Sequence, residues 1–176
     1  MITFIALFRG INVGGNNILP MKDLVSILEN LGCQKVKTYI QSGNVIFQIE
    51  ENKAKNIDSK INSEILKLQG FDTKVLLLET SKFLNIIRNN PFKTAEGNRA
   101  HIFFLYSIPV NPDLEKLNNL KSTSENFVLN GIAFYLHAPE GIGRSKLAAN
   151  VERCLGISVT ARNLNTINKL ISMLKQ

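Results

Sequence analysis

The 176-residue chain is predicted to be an α+β protein, and three observations carry that prediction. Apolar residues occur in short strand-like runs and also at helical spacing. The first half orders these segments as β-α-β-β-α-β. Glycine, asparagine and proline punctuate the boundaries between them. The composition, 44% apolar and 20% charged, is that of an ordinary globular chain. A chain of this length buries roughly 70% of the surface it would expose unfolded, so no disulfide or metal staple is needed.

Residues Ile2 to Phe8 form an almost continuous apolar run, the pattern of a central strand buried on both faces. A polar, glycine-rich loop runs from Arg9 to Leu19. Pro20 then opens a helix at its first position, where the missing N–H costs nothing. Met21, Leu24, Val25, Leu28 and Leu31 give that helix one apolar face, and Gly32 closes it. Val36 to Ile40 and Val45 to Ile49 read as strands joined by the turn residues Gln41-Ser42-Gly43-Asn44. Ile57, Ile61, Ile65 and Leu68 recur at helical spacing, with Gly70 as the stop. Thr73 to Leu78 is the fourth strand. This order is the split βαβ of ferredoxin-like folds, with an antiparallel sheet in the order 4-1-3-2 and two helices on one face.

The second half begins with a Thr80-Ser81 cap and a short helix carrying Phe83, Ile86 and Ile87. Asn89 to Gly97 is the linker candidate. A buried strand from Ala100 to Tyr106, a helix opened by Pro112, and a hairpin from Phe127 to Leu136 turning at Asn130-Gly131 follow. A helix from about Ser145 to Leu155, a very short strand at Val159, and a helix bearing Leu164, Ile167, Leu170, Ile171 and Leu174 complete the chain. This half repeats β-α-β-β-α, so it reads as a related α/β unit. Residues 1–79 therefore form the ferredoxin-like half and residues 80–176 the second. Val75 to Leu78 is continuously apolar where an edge strand would alternate, so the second half is expected to pack tightly on the first.

Lysine and arginine number 21 against 14 acids, for a formal charge of +7. That balance favours an anionic partner. The lysines are scattered, so there is no polybasic anchor, and the absence of Trp weakens a single-strand binder built on base stacking. Cys33 and Cys154 read as reduced core thiols. The N-terminus runs straight into Arg9 and reads as a first strand, not a targeting peptide. No apolar stretch approaches the ~20 residues that span a bilayer. A cytoplasmic protein without membrane contact, monomeric or homodimeric, is expected.

Three segments are too polar and glycine-rich for mere connectors. The first contains Arg9, Asn12, Gly14, Gly15 and Asn17 between a strand and a helix N-terminus, where free N–H groups favour an anion. It matches neither the dinucleotide fingerprint nor a Walker loop, and it exceeds the usual βα loop of about 2–6 residues. Glycines and asparagines also build long turns with φ > 0, which is the structural alternative. The second holds Gln41, Ser42 and Asn44. In the split βαβ topology it emerges at the same end of the sheet as the first loop. The third comprises Gly141 to Lys146 and Thr160 to Thr166, each opening a helix. Ser145 and Asn163 there resemble ordinary N-caps, but Arg144, Lys146 and Arg162 oppose the helix dipole unless an anion sits nearby.

The blocks L-F-R-G-I-N-V-G-G-N-N, T-Y-I-Q-S-G-N-V-I-F, S-K-L and T-A-R-N-L-N-T-I-N-K-L together resemble the bacterial domain-of-unknown-function 1697 family. They fall in the same order and span nearly the whole chain. The resemblance implies a small cytoplasmic α+β protein and supplies no reaction. It also suggests that Arg162 and Asn163 join the first site. Leu164 stands where the family commonly carries Trp, removing a ring that stacking there would use.

Several chemistries are disfavoured. Neither His101 nor His137 has the company of a catalyst. The first, second and last blocks contain no Asp or Glu for paired-carboxylate work or a hard metal. Ser42 and Ser145 lack an evident base. No metal or cofactor is expected, and the residues do not decide whether any reaction is catalysed. What remains is amide, hydroxyl and guanidinium chemistry, suited to a small phosphorylated or carboxylated ligand. Nucleic acid on the basic surface is the alternative, as is an adaptor without enzymatic activity.

Overall fold

A computed structural model describes residues 1–175, which divide into two compact units: residues 1–85 with 169–175, and Ile86–Asn168. Together they contain two four-stranded antiparallel sheets and seven α-helices among the described residues.

The first unit is built on β1 (Ile2–Arg9), flanked by β3 (Asn44–Ile49) on one side and β4 (Lys74–Glu79) on the other, both antiparallel to it. β2 (Gln34–Tyr39) pairs antiparallel with β3, giving the order β2-β3-β1-β4. The period of two along each strand divides the side chains between the faces. Phe4, Ala6 and Phe8 turn the same way as Val45, Phe47 and Ile49. They pack against Leu24 and Leu28 of α1 (Met21–Asn30) and Ile61 and Ile65 of α3 (Ile57–Gln69). Ile5 and Leu7, of opposite parity, are also fully buried, which is why β1 is apolar throughout.

Pro20 is the N-cap of α1 and not its first helical residue: its ψ of 136° is extended. Leu19 before it and Leu24 are both fully buried in the same cluster, at the two positions of a hydrophobic staple. A short helix, α2 (Glu51–Ala54), escaped the sequence reading because it buries nothing and so carries no periodic signal. β2 also starts earlier than its apolar residues imply. It contains a bulge: Gln34 pairs with Gln48 and Lys37 with Ile46, three residues against two.

In the second unit β5 (Ala100–Leu105) is central, between β7 (Ala133–His137) and β8 (Val159–Asn163). β6 (Asn126–Asn130) lies beyond β7, so the order is β6-β7-β5-β8. Each strand thus has the neighbours of its counterpart in the first sheet. Phe103, Leu105, Phe134 and Leu136 pack with Leu117 of α5 (Leu114–Leu120) and with Leu147, Val151 and Leu155 of α6 (Lys146–Leu155). The hairpin between β6 and β7 turns at Gly131 and Ile132, since Asn130 already pairs with Ala133. Gly131 takes the first loop position at φ +57°, where glycine is the ordinary residue. β8 is a full five-residue strand extending through Arg162 and Asn163, whose polar side chains hid it from a hydrophobicity reading. Helix α4 (Thr80–Arg88) follows β4, and the final helix is α7 (Leu164–Leu174). The segment after α4 is irregular but anchored: Asn90 is buried and its Oδ1 accepts from Phe92 N–H.

Candidate functional site

β1 and β2 run parallel to each other because both oppose β3. The loop after β1 and the turn after β2 therefore leave the sheet at one end. Asn12 joins them. Its Nδ2 donates to the carbonyls of Leu19 and Gln41, each at 2.8 Å, and its Oδ1 accepts from Leu19 N–H at 2.8 Å. Both amide protons and the oxygen are thereby engaged within the protein. Asn12 ties loop to turn and fixes the entry to α1.

The other amides act in the same way. Asn17 Nδ2 donates to the Gly10 carbonyl at 2.9 Å. Asn44 is fully buried, and its Nδ2 donates to Tyr39 carbonyl at 3.2 Å and to Ser42 Oγ at 3.1 Å. Asn12 and Asn17 both have positive φ, a conformation that asparagine tolerates better than most residues. These asparagines and Ser42 build the site's framework.

Gly43 is the close approach on which the arrangement depends. Its φ is +74°, and a Cβ there would lie 2.6 Å from both Phe8 Cβ and Ile11 Cδ1. The contact is tight because Phe8 N–H donates to the Gly43 carbonyl at 2.8 Å. Gly14 and Gly15 serve another purpose. Val13 and Asn16 form a bridge around them, with φ +58° and +77° at the two glycines, the signature of a type I′ hairpin turn. A Cβ on either would meet nothing within 4 Å, so the tip projects into open space.

What the framework presents outward is Arg9, Gln41, the Gly14-Gly15 backbone and three exposed aliphatics: Val13, Ile18 and Ile40. Arg9 is half-buried at the end of β1, and its carbonyl accepts from Thr73 Oγ1 at 2.9 Å. Ile40 is the outlier, a β-branched residue at φ +51° where glycine or asparagine would be relaxed. The helix end adds less than its position suggests. Asp23 lies in the first turn of α1, so a carboxylate already complements the dipole there.

A family model described as protein of unknown function (DUF1697) matches residues 1–135, a span containing both loops. The chain belongs to the DUF1697 family. It is also similar in structure to the conserved bacterial protein SP0830 from Streptococcus pneumoniae, with a TM-score of 0.77, 25% identity and 98% of each chain covered. No curated protein matches it.

In this DUF1697 protein Arg162 and Asn163 lie on β8 of the second unit. Arg162 Nη1 donates to Thr160 Oγ1 at 3.1 Å and to the Ala161 carbonyl at 2.9 Å. Burial pulls its pKa down to about 10, opposed in part by Tyr106, so it stays cationic at neutral pH. Asn163 caps α7 through Oδ1, which accepts from Thr166 N–H at 2.9 Å. Ser145 caps α6 in the same manner.

Two clefts lie apart from the two loops. One, of about 300 Å³ in the second unit, places Lys121, Arg144 and Lys146 beside Glu125 and Glu140. Both acids are engaged: Glu125 Oε2 accepts from Ser122 N–H, and Glu140 Oε1 from Ser124 Oγ. The other, of about 240 Å³ in the first unit, includes Lys35 and Lys37. No sequence signal pointed to it, because strand pairing brings its lysines beside Thr3 and Gln48.

Proposed function

We propose that this protein binds a small anionic ligand, phosphorylated or carboxylated, at the loop end of the first unit. Arg9 and Gln41 are the contacting side chains, and the Gly14-Gly15 turn is the contacting backbone. The observation that carries the reading is the use of Asn12: three 2.8 Å hydrogen bonds hold two exposed, positive-φ loops in one arrangement. Strain held by surrounding structure is a mark of functional surfaces, and preorganisation lowers the cost of binding. A guanidinium, an amide and open glycine backbone are groups that bind a phosphate or carboxylate. On this reading Asn12, Asn17, Ser42 and Asn44 position the site and do not touch the ligand.

The strand neighbours β2-β3-β1-β4 and β6-β7-β5-β8 support reading each unit as ferredoxin-like. The two free, buried thiols support the cytoplasm as the compartment. No helix is long and apolar enough to cross a membrane among the described residues.

The test is a thermal-shift screen of nucleotides, sugar phosphates and small carboxylates against the wild-type protein and Arg9→Ala. A ligand at a hundredfold its Kd adds about 2.7 kcal/mol of stability. Arg9→Ala should melt within a few degrees of wild type and lose that response. A ligand that stabilises both proteins equally would remove Arg9 from the site. Salt-sensitive binding of nucleic acid with a steep slope would favour the alternative partner.

A further inference from the structure

The structure assigns a second anion site to the opposite end of the first sheet: a phosphate-binding cleft formed by Lys35, Lys37, Thr3, Gln48 and Thr80. It rests on different residues from the loop site. The cleft has a volume of about 240 Å³ and is closed on one side by Met173 near the chain's end. That is room for a phosphate group with the remainder of its ligand outside. This is smaller than the roughly 300–1,000 Å³ of pockets that enclose drug-sized molecules.

Its chemistry is one-sided. The lining contains two ammonium groups, two hydroxyls and a carboxamide, and no carboxylate among the described residues. The nearest acid on the paired strands is Glu79. It is opposite Phe4 in the register, so the pleat turns it toward the α1–α3 face on which Phe4 packs. The neutral groups are already oriented: Gln48 Nε2 donates to Thr3 Oγ1 at 3.4 Å, and Thr80 Oγ1 donates to the Thr3 carbonyl at 3.3 Å. Among the described residues, Lys37 Nζ donates to the Met173 carbonyl at 3.5 Å, a weak and uncharged partner. The ion pairs Lys53–Glu50, Lys67–Glu64 and Arg99–Glu96 do not involve either lysine.

The backbone supplies an independent argument. Regular alternation places Lys37, opposite Ile46, on the cleft face. Lys35, two residues earlier, lines the same cleft and lies within the bulge between Gln34 and Lys37, where β2 carries one extra residue. Lys35 does so at φ +49°, a left-handed conformation that a lysine occupies at a cost and a glycine would occupy freely. Bulges of this kind re-aim side chains next to sites. A strained backbone that adds a second cation to an already cationic cleft destabilises the apo protein on two counts, and a bound dianion relieves the electrostatic one.

Inorganic phosphate is the probe, titrated into the full chain by NMR and by thermal shift at constant ionic strength, with chloride as the control anion. Wild type should show saturable shifts of the Thr3, Gln48 and Thr80 amides. Lys35→Gln with Lys37→Gln should weaken binding by at least about tenfold, as expected for loss of charge-assisted contacts. Arg9→Ala should leave these shifts unchanged, which separates this cleft from the loop site. Lys35→Gly supplies the check against misfolding: it should melt at or above the wild-type temperature without phosphate, yet bind phosphate more weakly. Equal responses to phosphate in wild type and the double variant, or shifts no larger than chloride produces, would overturn the assignment. So would a Lys35→Gly protein that binds as tightly as wild type.

Discussion

Replacing Gly43 by alanine tests whether the two loops are held by close backbone contact. Two costs are expected. An L-residue at φ +74° pays about 1–2 kcal/mol for the left-handed conformation. The new Cβ would also sit 2.6 Å from Phe8 Cβ and from Ile11 Cδ1. Ile11 can turn its terminal methyl aside, but Phe8 Cβ is fixed on the central strand between β3 and β4. Overpacking of this kind costs about 1–3 kcal/mol. The sum is a loss of about 2–5 kcal/mol. Gly131→Ala is the control, because Gly131 has φ +57° and nothing within 4 Å of its Cβ position; only the conformational cost of about 1–2 kcal/mol applies. Equilibrium urea denaturation of both variants, with m-values checked for constancy, isolates the packing contribution as their difference. A Gly43→Ala loss no greater than that of Gly131→Ala would refute the close-contact argument.

Asn12→Ala should destabilise by about 2–3 kcal/mol, because three hydrogen bonds are lost together and Leu19 N–H is left without its acceptor. Amide exchange should accelerate in both loops, and unchanged exchange at Gln41 to Asn44 would contradict the tie. Burial pulls His101 down to about 4 from 6.5, so the unfolded chain takes up a proton that the folded chain refuses. Stability is therefore full above pH 6.5 and falls by about 2–3 kcal/mol as pH drops toward 4; His101→Leu should flatten that part of the profile. Both cysteines are free and buried, and burial raises the Cys33 thiol to about 11. Titration of denatured, unreduced protein should find two thiols, with slow labelling in the native state.

Local signals made most of the framework legible. The uninterrupted run from Ile2 to Phe8 announced a central strand, since both of its faces are buried. The spacing of Leu24 and Leu28, and of Ile61 and Ile65, marked two helices packed on one core. The glycines and asparagines of residues 9–17 and 41–44 marked unusual loops, and strand direction implied that the two would meet. These features depend on period, on turn chemistry and on the parallel course of β1 and β2.

Tertiary structure decided what those residues do. In sequence, Asn12, Asn17 and Asn44 have the same donors and acceptors whether they face a ligand or a carbonyl; only the folded chain assigns them to Leu19, Gln41, Gly10 and Tyr39. Glycines likewise look alike in a string of letters. Gly43 is required by a contact with residues more than thirty positions away, whereas Gly14 and Gly15 face open space. The cationic cleft was hidden for the same reason. Lys35 and Lys37 are unremarkable surface lysines in sequence, and only the pairing of β2 with β3 and of β3 with β1 places both beside Thr3, Gln48 and Thr80. Hydrophobic periodicity records which face of an element is buried, but pairing register and hydrogen-bond partners arise only when distant segments meet.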